Sequence, residues 1–138
     1  FNKVDHYKPM LKANIIGSRF SLLNKGEKIL FKAIKIKHGN IYSIGYIFKK
    51  IAYLSDCSSL SKQNLKELLN LKYLFIDCLR ITPHPTHLNL QQALEVVKIL
   101  RPKKTFLVNL HSDLDFGFLM KILPKNVKPG YDGLTVKL

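Results

Sequence analysis

The sequence predicts an α/β layered domain, and three observations carry that prediction. Short apolar runs rich in Ile, Phe and Val recur along the 138 residues. From about residue 60 onward they alternate with segments of helical spacing, each preceded by a residue suited to N-capping. Proline or glycine closes several of these segments.

Residues 29–37 are β-rich, and Ile34 and Ile36 alternate with Lys35 and Lys37, so this stretch reads as a strand ending at His38-Gly39. The runs 44–48 and 51–54 are separated only by Lys49-Lys50, a spacing that suits an antiparallel hairpin although neither lysine favours positive φ. Ser61 caps a helix over 62–70, with Leu65, Leu68 and Leu69 on one face; residues 73–76 form the next strand. Asn89 caps a second helix over 90–100, which turns Leu90, Ala93, Leu94 and Val97 inward and is stopped by Pro102. After a strand at 105–108, Asp113 heads a third helix over 114–122, which Gly117 weakens by about 1 kcal/mol relative to alanine. Residues 129–133 read as a turn and 134–138 as a terminal strand. Residues 1–28 form a boundary segment with no assigned structure, and neither a repeat nor a linker divides the chain, so 1–138 counts as one domain. Phe1 is not an initiator methionine, which points to cleavage or to a longer parent chain.

Composition removes whole classes of function. With 46% apolar residues the chain can pack a core, and its apolar runs fall far short of the ~20 residues of a membrane span. Two cysteines, Cys57 and Cys78, lack metal-finger spacing and are too few for a disulfide scaffold, so a reduced, cytoplasmic setting is expected. The net charge of +14 invites a nucleic-acid reading. That reading is discounted: arginine, the preferred fork for phosphate, occurs only at 19, 80 and 101, and the lysines read as a solvated surface.

Four apolar runs finish in a side chain able to bind metal or move protons: His38, Asp56, Asp77 and Asn109. Ligand sites of open α/β sheets gather just beyond strand ends, so the set carries more weight than each member, although each alone is as well explained as a turn cap or loop anchor. A denser cluster is Thr82-Pro83-His84-Pro85-Thr86-His87, where prolines stiffen a loop that presents two imidazoles. A Pro-rich connection with two exposed histidines explains it equally well. His111, in the polar turn beyond Asn109, is a weaker candidate. A Gly-rich phosphate loop, a GxSxG elbow and an HExxH helix are absent from the sequence. Cys57 follows Asp56 directly, which disfavours a thiolate, and the aromatic residues sit in apolar runs, as core residues do.

These residues carry a family likeness. His38-Gly39, then Tyr42-Ser43-Ile44-Gly45-Tyr46, Ala52-Tyr53-Leu54-Ser55-Asp56, Pro83-His84-Pro85-Thr86-His87 and Tyr131-Asp132-Gly133-Leu134 together resemble the metallo-β-lactamase-fold hydrolases. The branch most similar is the phosphoribosyl cyclic phosphodiesterases, which are themselves similar to the tRNA 3′-processing endonucleases. The likeness covers residues 29–138 in unbroken order. It implies the C-terminal portion of an αββα sandwich, a mixed sheet with helices on one face, and two divalent metal ions, zinc or manganese, at one edge. By the same resemblance His38 is a metal ligand, Asp56 the bridging aspartate, His87 the acid that meets the phosphate or leaving group, and His84 its supporting neighbour. Asn109 stands where the family places its last metal histidine, and an amide is a far poorer zinc ligand than imidazole. The family's HxHxDH motif has no counterpart in this sequence, leaving fewer ligands than the four or so each zinc needs.

The functional expectation is therefore a metal-dependent hydrolase acting on a small phosphodiester, cyclic phosphodiesterase-like, with its HxHxDH half outside this chain. The alternative is an inactive truncated remnant that holds no metal and serves as a homo-oligomeric or partner-binding module, since half a sandwich exposes a sheet face. A basic nucleic-acid-binding module is a third and weakest reading.

Overall fold

A computed structural model describes residues 13–137. Residues 1–12, with His6, lie outside the described residues, as does Leu138. Seven strands form one mixed sheet in sequential order: β1 (Arg19–Asn24), β2 (Glu27–His38), β3 (Ile41–Phe48), β4 (Ile51–Leu54), β5 (Tyr73–Asp77), β6 (Lys104–Val108) and β7 (Val127–Pro129). The first four pair antiparallel, and β4 to β7 run parallel. Helices α1 (Lys62–Glu67), α2 (Leu90–Leu100) and α3 (Phe116–Ile122) fill the three parallel crossovers. Because each crossover steps the same way along the sheet and such connections are right-handed, all three helices fall on one face. This is the α/β arrangement, with helices on one face, that the sequence implied.

Alternation divides the sheet into two unlike faces. Toward the helices point Ile34, Ile36, Ala52, Leu54, Leu74, Ile76 and Leu107, which bury with Leu68, Ala93, Val97, Leu100 and Leu119 into one aliphatic core. Gly45 belongs to this face: a Cβ there would lie 2.6 Å from Leu54 Cδ2, so the close approach of β3 to β4 requires glycine. The opposite face carries aromatic residues. Phe31 meets Phe20 at 5.2 Å and Phe48 at 4.8 Å between ring centroids, and Phe75 meets Tyr53 at 6.1 Å and Phe106 at 5.1 Å.

Capping follows the sequence closely in two helices. Ser61 and Asn89 each accept from the N3 backbone amide while Asn64 and Gln92 reach back, forming two capping boxes. Other expectations are corrected. The first helix stops at Glu67 because Leu68 closes it and Asn70 turns left-handed at φ 61°. The third begins at Phe116: Asp115, not Asp113, caps it by accepting from Phe118 N at 2.8 Å, while Asp113 accepts from Ile81 N and Leu114 is buried in the core. Part of the segment 1–28 is ordered, since β1 pairs with β2 from Arg19 to Asn24. Pro129, read as turn, ends β7, and residues 134–137 form no strand. Val136 lines a cavity with Phe31, Tyr46 and Phe75, and the Lys137 carbonyl accepts from Lys72 Nζ, so this segment lies across the aromatic face instead of extending the sheet. The Lys49-Lys50 hairpin forms, with Lys49 taking φ 51° despite its side chain.

Candidate metal centre

β2 and β4 run in the same direction, and β4, β5 and β6 are parallel, so the carboxyl ends of four strands share one edge. At that edge stand His38, the last residue of β2, Asp77, the last of β5, and Asp56 and Asn109 just past β4 and β6. Asp56 and Asn109 both take left-handed backbone, at φ 53° and 64°. Asparagine and aspartate tolerate that region better than most residues, and the turn brings each side chain back over the edge. Ser43 Oγ secures the first turn by donating to the Asp56 carbonyl at 2.7 Å.

The loop with His84 and His87 folds down onto the β2–β3 turn. Gly39, at φ 60°, admits it: a Cβ there would stand 2.6 Å from Thr86 Cγ2. His38 Nδ1 then lies 2.7 Å from the Thr86 carbonyl, and since a carbonyl only accepts, Nδ1 carries the hydrogen and Nε2 keeps its lone pair. Histidine ligands of metals are held in this way.

Asp77 organises the rest. Its side chain is fully buried, and its carboxylate accepts from Cys57 N at 2.9 Å, from His87 Nδ1 at 2.8 Å and from Asn109 Nδ2 at 3.1 Å. The His87 Nδ1 hydrogen is fixed on the Asp77 side, which leaves Nε2 as the free nitrogen of that ring. His87 is 14% exposed, and its Nδ1 lies 4.0 Å from Asp56 Oδ1. The His38 and His87 rings meet edge to face at 4.7 Å. The sequence showed Asp77 as one of four strand-end groups but assigned it no role; its burial and its three donors come from three different loops.

His38, Asp56 and His87 each offer a ligand atom, and these lie within 4.8 Å of one another. Ligands about 2.1 Å from one ion stand some 3–3.5 Å apart, so small side-chain shifts would gather these three around it. Two imidazoles and a carboxylate suit a divalent ion such as zinc or manganese. With Nδ1 tied to Asp77, only His87 Nε2 could join an ion, so that ring serves either as a third ligand or as a proton carrier; His38 and Asp56 are the members with no competing role, and the set falls short of two ions.

The other candidates are placed differently. The His84 ring lies tilted against that of His87, 5.2 Å between centroids, and its Nδ1 accepts from Thr86 N at 3.3 Å. Its pKa is lowered, by desolvation first and by Arg80 and His87 next. Asn109 turns its amide nitrogen toward Asp77, and His111, 61% exposed, pairs with Asp113 at 3.2 Å away from the three-residue group. The thiols are no nucleophiles. Burial, with Asp77 second, pushes Cys57 and Cys78 up to about 12. For Cys57 the neighbouring charge is Asp77, not the adjacent Asp56 that the sequence suggested.

A family model of the beta-lactamase superfamily domain matches residues 3–109. The chain belongs to that family. Its sheet superposes on a diphosphatase of the PhnP family with a TM-score of 0.82 at 29% identity, covering 89% of this chain and 47% of that one. Human tRNase Z, short form, shares the fold with a TM-score of 0.60 at 19% identity, over 87% of this chain and 47% of that one. An octanoyltransferase of Porphyromonas gingivalis is 31% identical over 104 residues, 73% of this chain. The chain spans about half the length of those two structures and 21% of the octanoyltransferase. The fold is thus the metallo-β-lactamase fold, and the described sheet corresponds to a portion of it.

Proposed function

We propose that this metallo-β-lactamase-family chain supplies one ligand-bearing half of a metal-dependent phosphodiesterase acting on a small, cyclic phosphodiester-like substrate. The observation that carries the reading is the convergence of His38, Asp56 and His87 at one strand edge, with Asp77 fixing His87 from behind. The diphosphatase and tRNase Z likenesses support phosphoester chemistry. The octanoyltransferase likeness spans a fifth of that protein, and thiols held near 12 supply no thiolate for acyl transfer.

His38 Nε2 and an Asp56 oxygen would hold a divalent ion, zinc or manganese. When bound, such an ion supplies Lewis acidity toward phosphate and hydroxide near neutral pH. Asp77 keeps the His87 Nδ1 hydrogen in place, so the ring exchanges its mobile proton at Nε2, where a protonated imidazole protonates the departing alkoxide. The Pro-rich loop sets this ring against His38, and His84 packs beside it. A second ion needs donors beyond the group found among the described residues. Both cysteines are free and buried, which supports a reducing, cytoplasmic setting, and among the described residues no helix is long and apolar enough to cross a membrane.

The test is bound metal per chain, together with turnover of bis(p-nitrophenyl) phosphate. Asp56→Ala loses the metal, whereas His87→Ala keeps most of it and lowers turnover about 100-fold or more. Unchanged metal content in Asp56→Ala overturns the assignment.

One observation favours the second reading, a partner-binding or homo-oligomeric module without activity: the aromatic face is incompletely covered, with Tyr53 still 42% exposed. Light scattering tests its homo-oligomeric form: a dimer or larger assembly supports it, and a cooperatively unfolding monomer overturns it.

A further inference from the structure

We propose that Asn109 is a positioning residue for the Asp77–His87 pair and not a metal ligand. This deepens the phosphodiesterase reading, on which its consequence for turnover rests.

The geometry allows one orientation of the Asn109 amide. Asp77 Oδ1 is an acceptor 3.1 Å from Nδ2, and His87 Nδ1, whose hydrogen is committed to Asp77 Oδ2, lies 3.3 Å from the same nitrogen. Flipping the amide would set its oxygen against the carboxylate, two acceptors in contact with nothing to share. Asn109 Nδ2 and His87 Nδ1 therefore stand side by side as donors to the two oxygens of one carboxylate. Asp77 has no access to solvent although Asn109 is itself exposed, so the Asn109 amide covers Oδ1 from the solvent side, and without it the carboxylate would turn toward its remaining partners, Cys57 N and His87.

The backbone explains why asparagine serves here. At φ 64° the residue must tolerate the left-handed region, and its side chain must be short and bear a donor to reach back under the β6 end. Asparagine meets all three demands. Aspartate would oppose Asp77 with a like charge, and an imidazole metal ligand would turn away from it. The departure from the family's ligand pattern at this position is thus a change of job: the side chain steadies the proton carrier, and His38 and Asp56 remain this chain's main hold on an ion.

The experiment uses the full chain at one fixed pH. Asn109→Gly deletes the amide without straining the backbone, and Asn109→Ser restores a short donor. Calorimetric titration with Zn²⁺ or Mn²⁺ should give affinities within about twofold of wild type for both variants, where loss of a true ligand weakens binding about tenfold or more. In ¹⁵N-resolved spectra the His87 Nδ1–H signal should exchange with solvent about tenfold faster in Asn109→Gly, with partial recovery in Asn109→Ser. Metal affinity falling tenfold in Asn109→Gly, or an unchanged His87 signal, overturns the proposal. Neither readout needs turnover, so a wild-type chain inactive on phosphodiesters removes the reaction while leaving Asn109's role decided on its own.

Discussion

The two faces of the sheet are made by alternate residues of the same strands, yet they are built to different ends. Under the helices, Leu54, Leu74, Ile76 and Leu107 are fully buried aliphatics. Across the backbone, Tyr53, Phe75 and Phe106 form a ladder of rings in which Tyr53 is still 42% exposed. The helix face is closed by elements the chain itself supplies. Among the described residues the aromatic face receives the segment through Val136, and the diphosphatase structure is about twice as long as this chain. One face holds the described domain together; the other is only partly covered by the described residues.

The comparison breaks first at its strongest point. Leu54→Ala should lower stability by about 2–5 kcal/mol in urea, because a closed aliphatic core cannot collapse around the void. Next in size is Asp77→Ala, which strands the buried Cys57 amide and frees His87 and the exposed Asn109, with an expected loss of about 2–3 kcal/mol; a loss under about 1 would mean that water reaches the site. Phe75→Ala, on the aromatic face, should cost about 1–2 kcal/mol in the chain alone, less than Leu54→Ala; an equal loss would show the two faces to be alike. Ser61→Ala should cost about 1 kcal/mol through the α1 cap. Smallest is the chemical effect: with both thiols pushed up to about 12, the native chain at pH 8 should react with a disulfide reagent only on unfolding, and prompt native labelling would place a cysteine outside the core.

Much of this was legible beforehand. The Ile34/Ile36 alternation, the caps at Ser61 and Asn89, and the polar residues ending apolar runs are local signals, written within a turn or a strand of the residues they govern. β1 was missed because two of its three apolar residues, Leu22 and Leu23, are adjacent and exposed and show no clean alternation; β2 offers it a partner, and Phe20 stacks on Phe31. The segment 134–137 misled for the opposite reason, since its apolar residues pack onto the face of the sheet and not along its edge. At the site, His38, Asp56, His84 and His87 stood out as residue types, whereas the Asp77 role did not, because nothing in 73–77 announces donors from residues 57, 87 and 109.

By itself the sequence determined most of the elements from β2 to β6, their order and the residues gathered at the carboxyl edge, because propensity, capping and strand periodicity act over a few residues. Only the tertiary structure decided which nitrogen of His38 and His87 is free, that the Asn109 amide donates to Asp77, and that the described residues leave one sheet face partly uncovered. Those facts depend on distances between residues 10 to 48 positions apart, which packing sets and local sequence does not encode.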